Sequence, residues 1–422
     1  MGDTRVTNLD ITRQFLEVFH SNLVIAKNLD HSYEKNFGTQ VGFEGQKIGP
    51  VLNVREPIQT TVRSGWGMQQ QDITETYKTL TIDTVYGVDL KFSDADMATT
   101  IDDFEKRYIE VPAKRLAAAV DAQCAQFMAD RIANTVAATA LAVPTTIDTY
   151  LEAGSKLKSN LVPVESGLCA IIDPVSERKI VNGLAGQYNP MQNISELFLK
   201  GQMSMAAGFD WYMSQILPTL TTGSSDHVAD GLRVKATTGW LAAAPGTLVY
   251  DSDSTTTGTI KVGECFTISG VKAVNYETKQ TLSYLKQFCV VTADVTSSGG
   301  EGTITFEPPI YTSGPLQNVS AAPTLGSSTI TLGALDGTTA VPTAASTAYG
   351  MNLVFSPKSF AFASVPLRMP EYIKGASVSQ DNFNIRFLRG YDIANARYLS
   401  RMDIFFGLAE LRRDWACKIL HV

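Results

Sequence analysis

The sequence predicts an α+β chain in which an extended ribbon and a long helix precede an inserted all-β segment. Three observations predict it. Residues 80–92 alternate apolar and polar side chains with the period of a strand, and residues 112–136 carry one apolar stripe at helical spacing. From Leu220 to about 348 the composition shifts to Thr, Ser and Gly and helical periodicity stops, and a mixed pattern resumes only afterwards.

Residues 9–29 place Ile11, Phe15, Val18, Phe19 and Leu23 on one face of an amphipathic helix, with Asn8 or Asp10 as its cap. That face packs either on its own domain, the usual fate of such helices, or on a neighbour. Residues 38–92 read as extended. The alternating run 80–92 is a strand of roughly thirteen residues, about twice the usual length, and spans about 40 Å; only Thr84 and Val85 blur it. Its partner is 51–62, and the tip between them is polar apart from Trp66 and Met68. Such a pair is either a projecting ribbon, which needs something to lie on because isolated ribbons are marginal in water, or a hairpin inside an ordinary sheet.

Pro112 opens a helix at its first turn, and Leu116, Val120, Cys124, Phe127, Met128, Ile132 and Val136 form its stripe. About 25 residues give about 37 Å. Further on, 167–173 is a buried strand, Pro174 precedes a short helix start at 176–181, 191–203 is helical and 208–215 is strand-like. Within the Thr/Ser/Gly-rich segment, short strands at 259–262, 265–268, 271–274, 288–292, 303–306 and 328–332 are separated by glycine turns, which predicts a small barrel or sandwich.

A chain of 422 residues exceeds one ordinary core, and 44% hydrophobic with 18% charged residues is a globular balance. The net charge is −7, and Lys and Arg never run beyond adjacent pairs. Tight phosphate binding needs a basic surface, so the chain is expected to enclose nucleic acid at most, not to grip it. Five cysteines, odd in number, widely spaced and without a CxxC pair, point to free buried thiols in a reducing cytosol. The N-terminus has no apolar signal-peptide core and no stretch is long enough to span a membrane, so the expected place is the cytosol where the chain is made, or a particle that leaves it.

Catalytic signatures are missing. There is no GxxxxGK[ST] and no GxSxG, and Gly42, Gly45 and Gly49 do not fit GxGxxG. His20, His31, His227 and His421 are scattered. Asp94, Asp96, Asp102 and Asp103 suit a helix N-terminus, Cys169 reads as a core thiol, and Trp211, Trp240 and Trp415 as core or interface anchors. The expectation is a protein that is not an enzyme and that uses no cofactor and no metal.

Four segments, in order along nearly the whole chain, carry a resemblance. They are 15–57; Ile101-Asp-Asp-Phe-Glu-Lys-Arg-Tyr-Ile-Glu-Val-Pro-Ala-Lys with the Ala-rich helix after it; Gly263-Glu-Cys-Phe-Thr-Ile-Ser-Gly-Val-Lys-Ala-Val-Asn-Tyr with Gln287-Phe-Cys-Val-Val-Thr-Ala; and a C-terminal block with Tyr391-Asp-Ile, Arg401-Met-Asp, Gly407 and Arg412-Arg-Asp-Trp-Ala-Cys-Lys-Ile. Together they resemble the P22-like coat proteins of tailed bacteriophages. The resemblance implies an HK97-type capsid fold: an N-terminal arm (1–50), an E-loop ribbon (51–93), a P-domain with a spine helix (94–137), an A-domain (138–220), an inserted β domain or I-domain (221–348), and a return through A- and P-domain strands (349–422). It implies a major capsid protein whose hexamers and pentamers close into an icosahedral shell around double-stranded DNA, as a procapsid built with scaffolding and portal proteins in the host cytoplasm. Arg63, Trp66 and Met68 at the ribbon tip, with Phe15 and Phe19 on the arm helix, are the expected subunit interface. The alternative is a decoration, tail or adhesion protein that binds through the β domain.

Overall fold

The computed structural model describes residues 8–33, 49–60, 62–68, 70, 75–93, 110–138, 141–163, 167–184, 205–224, 231–236, 245–252, 258–332, 346–370, 374–395 and 397–422. The chain divides into two units, one of 1–56, 77–124 and 360–411, the other of 57–76, 125–359 and 412–422. Among the described residues no helix is long and apolar enough to cross a membrane.

The first unit is built on a five-stranded antiparallel sheet. Its long strand, Arg397–Glu410, pairs with Phe383–Asp392, Thr84–Ser93 and Phe360–Ser364, and Lys374–Gln380 extends the sheet beyond Phe383–Asp392. The helix Asn8–Asn22 lies on that side. Its stripe follows helical spacing and buries Phe15, Leu16 and Phe19. Phe19 meets Phe383 edge-on at 5.9 Å, Phe383 meets Phe362 at 5.3 Å, Phe362 stacks on Phe406 at 5.4 Å, and Tyr86 meets Phe406 at 5.5 Å. Such contacts favour these offset geometries through the ring quadrupoles. Buried Asp121 accepts the N–H groups of Val24 (2.7 Å), Ile25 (3.2 Å) and Ala26 (2.9 Å), which ties the turn after the arm helix to the long helix.

The expected thirteen-residue strand is two strands. Tyr77–Thr81 pairs with Val51–Arg55 as a separate two-stranded ribbon, and Thr84–Ser93 joins the five-stranded sheet. The break falls at Ile82–Asp83, beside the blurred alternation. Ile82 stays tied to the ribbon by its N–H to Pro50 O at 2.9 Å while its side chain packs with Val54, Leu80, Ala363 and Ala409. This crossing needs glycine at 407, since a Cβ there would lie 2.1 Å from Thr81 O and 2.8 Å from Ile82 Cα.

The long helix is Val111–Ala129, with Pro112 in its first turn, and so is shorter than the periodicity predicts. Ile132 lies instead in the short connection after the helix and Val136 in the strand Asn134–Ala137. That strand pairs in parallel with Ala416–His421 and is buried along its length. A short buried strand prolongs an apolar stripe as readily as a helix does, and tertiary pairing decides between them.

The second unit holds two sheets of interest. One, mixed and seven-stranded, runs Asn134–Ala137, Ala416–His421, Ala348–Phe355, Leu168–Ile172, Phe209–Met213 and Met205–Ala206, with Thr219–Thr221 also on Ala348–Phe355. Helix Asp148–Ser159 packs on it over Tyr150, Leu157, Trp211 and Ile419. Helix Pro174–Leu184 opens on proline, and Asp173 accepts the N–H groups of Val175 and Ser176 as its cap. The expected helix at 191–203 lies outside the described residues.

The other sheet has six strands in the order Ile330–Leu332, Cys265–Val274, Thr281–Val290, Glu301–Glu307, Gly246–Asp251, Arg233–Ala236. Its edges bond to each other, Val234 N–H to Ser328 O at 3.0 Å and Ile330 N–H to Leu232 O at 2.8 Å, so the sheet closes into a barrel. Phe266, Phe288 and Phe306 fill it with ring centroids 5.3 to 5.7 Å apart. The strands expected at 265–268 and 271–274 are one strand whose register shifts at Gly270, a left-handed residue at φ +82°. Strands Arg233–Ala236 and Gly246–Asp251 escaped the sequence reading. Ala348 pairs with Thr221, so the chain leaves and rejoins the seven-stranded sheet at adjacent positions.

Replacing Gly407 by Ala is expected to destabilise the first unit by about 2–3 kcal/mol, the usual scale of overpacking. Urea unfolding of the purified subunit measures it; an unchanged midpoint would show that the crossing relaxes freely.

Candidate assembly surface

The segment between the ribbon strands carries the two most exposed large apolar side chains among the described residues. Ile58, Val62, Trp66 and Met68 all face solvent, with Val62 at 98% and Trp66 at 102% of full exposure. The loop is shaped from within. The Arg63 guanidinium donates to Gly65 O at 2.5 Å and Gly67 O at 2.7 Å, bracing the residues on either side of Trp66. Gly65 sits at φ +100°, where a side chain would be strained. Soluble monomers seldom cluster large apolar groups outside an interaction surface, and Trp, Met and Arg are the types enriched at interfaces. Arg63, Trp66 and Met68 thus share one braced loop. Phe15 and Phe19 do not join them; both are buried in the core of their own unit, and an interface role would require the arm helix to leave its sheet.

Among the described residues no group of His, Cys, Asp and Glu is placed to hold a metal ion. His20 and His31 converge on Phe383, at 5.8 and 5.1 Å, a pairing their sequence spacing conceals. His31 bonds Ala26 O at 2.9 Å, and burial holds its pKa below the usual value. Cys169 lies in a buried strand where burial pushes its thiol up to about 12, the wrong direction for a nucleophile. Trp211 is buried and donates to Ala206 O at 3.0 Å, while Trp240 lies outside the described residues.

The densest polar construction is a buried seam between the barrel and the seven-stranded sheet. Lys418, with no exposed surface, donates to Ala129 O at 3.2 Å and to Gly263 O. The thiols of Cys265 and Cys289 donate to Ile132 O and Asp130 O, each at 3.4 Å. Gln287 pairs with the Thr135 backbone as a strand would, accepting its N–H at 2.8 Å and donating to its carbonyl at 3.1 Å. Lys286 reaches Asp414 at 3.2 Å and Tyr276 at 3.1 Å, and Arg413 pairs with Glu307. Burial would raise the Asp414 pKa, but Lys286 and the Tyr276 hydroxyl outweigh it and hold the carboxyl below its usual value. Glu264 accepts the N–H groups of Gly223 at 2.5 Å and Lys261 at 3.2 Å. Burial pushes its carboxyl up to about 7, against the pull of those N–H groups and of Lys418. No local motif announces this seam. The one signal is a lysine inside the apolar strand Ala416–His421.

Glu264 makes stability depend on pH. Its pKa is raised from 4.5 to about 7, so the folded state holds the proton more tightly. The stability this confers is fully present below pH 4.5 and is lost as pH rises through about 7, a difference of about 3 kcal/mol by linkage. Glu264→Gln, which keeps the acceptor oxygen, is expected to remove that slope in urea melts at pH 5 and 8; an identical slope in both proteins would refute the assignment.

A family model described as P22 coat protein, gene protein 5, matches residues 4–416. No curated protein sequence matches the chain. Among solved structures, one described as Mycobacterium phage Che8 is 12% identical over 94% of this chain and 90% of its own, with a TM-score of 0.48. The capsid of Ralstonia phage GP4 is 9% identical over 96% and 90%, with a TM-score of 0.46. The capsid of the cyanophage P-SCSP1u is 12% identical over 89% and 84%, with a TM-score of 0.44.

Proposed function

The chain belongs to the P22 coat protein family, and from that premise we propose how it builds a shell. It is a major capsid protein, located in the virion capsid, that associates with copies of itself. The family assignment suggests a structural, non-enzymatic role, and it favours the shell over a decoration, tail or adhesion protein. The observation that carries this is the family match along nearly the entire chain.

The ribbon with its braced tip is the E-loop, and Trp66 and Met68 insert against an adjacent subunit while Arg63 keeps the loop in shape. The barrel is the I-domain. Subunits form hexamers and pentamers of an icosahedral shell, assembled in the host cytoplasm with scaffolding and portal proteins around double-stranded DNA. A net charge of −7 supports enclosure without tight phosphate binding. Burying a tryptophan removes ~200 Å² from water, on the order of 5 kcal/mol per contact at ~25 cal/mol per Å². Repeated around a shell, that is ample to make the tip an energetic centre.

Sedimentation velocity and electron microscopy, with and without a co-expressed scaffold, test the reading; a persistent monomer or trimer under both conditions would overturn it. Trp66→Ala is expected to leave subunit unfolding within about 0.5 kcal/mol of the parent, as for exposed positions generally. It should raise the concentration needed for assembly more than tenfold. Normal assembly by Trp66→Ala and by Arg63→Ala would remove the tip from the interface.

A further inference from the structure

Cys265 and Cys289, far apart in sequence, are register partners on the strands Cys265–Val274 and Thr281–Val290. The bond from Val290 N–H to Glu264 O, 3.0 Å, brackets them as a non-hydrogen-bonded pair. That arrangement brings Cα atoms to about 4.5 Å, within the span of a disulfide. Phe266 and Phe288, their neighbours, fill the barrel, so both sulfurs leave its outer face and share a cluster with Ala133. Lys418 lies beside them. Burial opposes ionisation of Cys265, but the Cys289 thiol and the Lys418 ammonium outweigh it and hold its pKa below that of an ordinary thiol. Burial pushes Cys169 and Cys417 each up to about 12 and raises Cys124, while the hydrogen bond with Cys265, with burial, raises Cys289, so that Cys265 is the member of the pair that ionises. All five cysteines are free.

We propose that Cys265 and Cys289 form an oxidisable dithiol that a hydroperoxide converts to a cross-strand disulfide, with Lys418 as the adjoining proton donor. Cys265 gives up the proton it donates to Ile132 O, and the resulting thiolate attacks the terminal oxygen of the hydroperoxide. The O–O bond breaks, Cys265 becomes a sulfenic acid, and the departing oxygen takes a proton from Lys418. The Cys289 thiol then attacks the sulfenic sulfur, forming the S–S bond and releasing water. Overall two thiols and one hydroperoxide give one disulfide, one alcohol (water, for hydrogen peroxide) and one water, and the proton that Cys265 lost on ionising restores the lysine. The product withdraws both S–H donors from Asp130 O and Ile132 O, leaving Lys418 to hold the end of the long helix. Oxidation therefore cross-links the barrel while it loosens the seam. The inference stands on the fold and not on the reading of the chain as a coat protein.

The test is hydrogen peroxide treatment of the folded full-length protein, followed by quenching, denaturation, thiol counting and peptide mapping. Free thiols should fall from five to three, with the Cys265 and Cys289 peptides joined and dithiothreitol restoring both. Lys418→Met should slow the loss at least tenfold, and an unchanged rate would remove the lysine from the step. Cys289→Ser should accumulate a Cys265 sulfenic acid that dimedone traps. Five thiols persisting at doses that convert exposed Met68 to its sulfoxide would overturn the proposal, as would prior oxidation of Cys124, Cys169 or Cys417. If either variant fails to fold, the peptide map of the parent protein decides.

Discussion

A helix that ends inside a protein leaves carbonyls that water cannot reach, and each needs a donor. The second unit is arranged around that constraint. Past Ala129 the carbonyls of residues 129, 130 and 132 meet the Lys418 ammonium and two thiols. A buried ammonium there also faces the negative end of the helix dipole, which favours a cation. The donors come from separate parts of the chain, Lys418 from the last strand and the cysteines from the barrel. Satisfying one helix end therefore fixes where the barrel sits on the seven-stranded sheet. Removing one partner would leave a buried polar group unpaired, a far larger penalty than the modest net value of the bond itself.

The rest of the seam is polar for the same reason. An apolar contact between two preformed β surfaces tolerates sliding, because burial is non-directional. Gln287 read against the Thr135 backbone, Lys286 against Asp414 and Tyr276, and Arg413 against Glu307 each admit one alignment. The barrel has its own aromatic core and so folds around Phe266, Phe288 and Phe306, while the seam sets its orientation. Core formation and docking are thereby assigned to different residues.

The α+β class and the coat-protein kinship were legible because they rest on patterns spread over many residues: the period of 112–128, the Gly-punctuated strands and the ordered C-terminal block. What was not legible depends on contacts between distant positions. Thr81 and Ile82 leave one sheet for another because the chain passes over Gly407, and alternation across 80–92 cannot report a partner more than 300 residues away. Ile132 and Val136 continue an apolar stripe whether they are helix or buried strand, and only pairing with Ala416–His421 decides. Cysteines 265 and 289 look unrelated until the register places them opposite each other. At the candidate surface, Trp66 and Met68 stood out as apolar residues in a polar tip. The role of Arg63 as an internal brace, bonded to Gly65 and Gly67, is a property of the folded loop alone.

The ribbon shows why such a subunit is complete in one part and incomplete in another. Two five-residue strands bury too little to be stable alone in water. At the root, Val54, Leu80 and Ile82 pack with Ala363 and Ala409, so the strands Val51–Arg55 and Tyr77–Thr81 are anchored in the first unit's own core. At the tip no such core is offered to Val62, Trp66 and Met68, which stay in water while Arg63 holds the loop in one shape. Pre-shaping lowers the ordering entropy lost on association, the usual obstacle to using a flexible loop as an anchor. A monomeric protein gains nothing from a rigid loop that displays a tryptophan. In the proposed shell each copy meets a neighbour, and the apolar surface left open at the tip of one chain would be closed by the next.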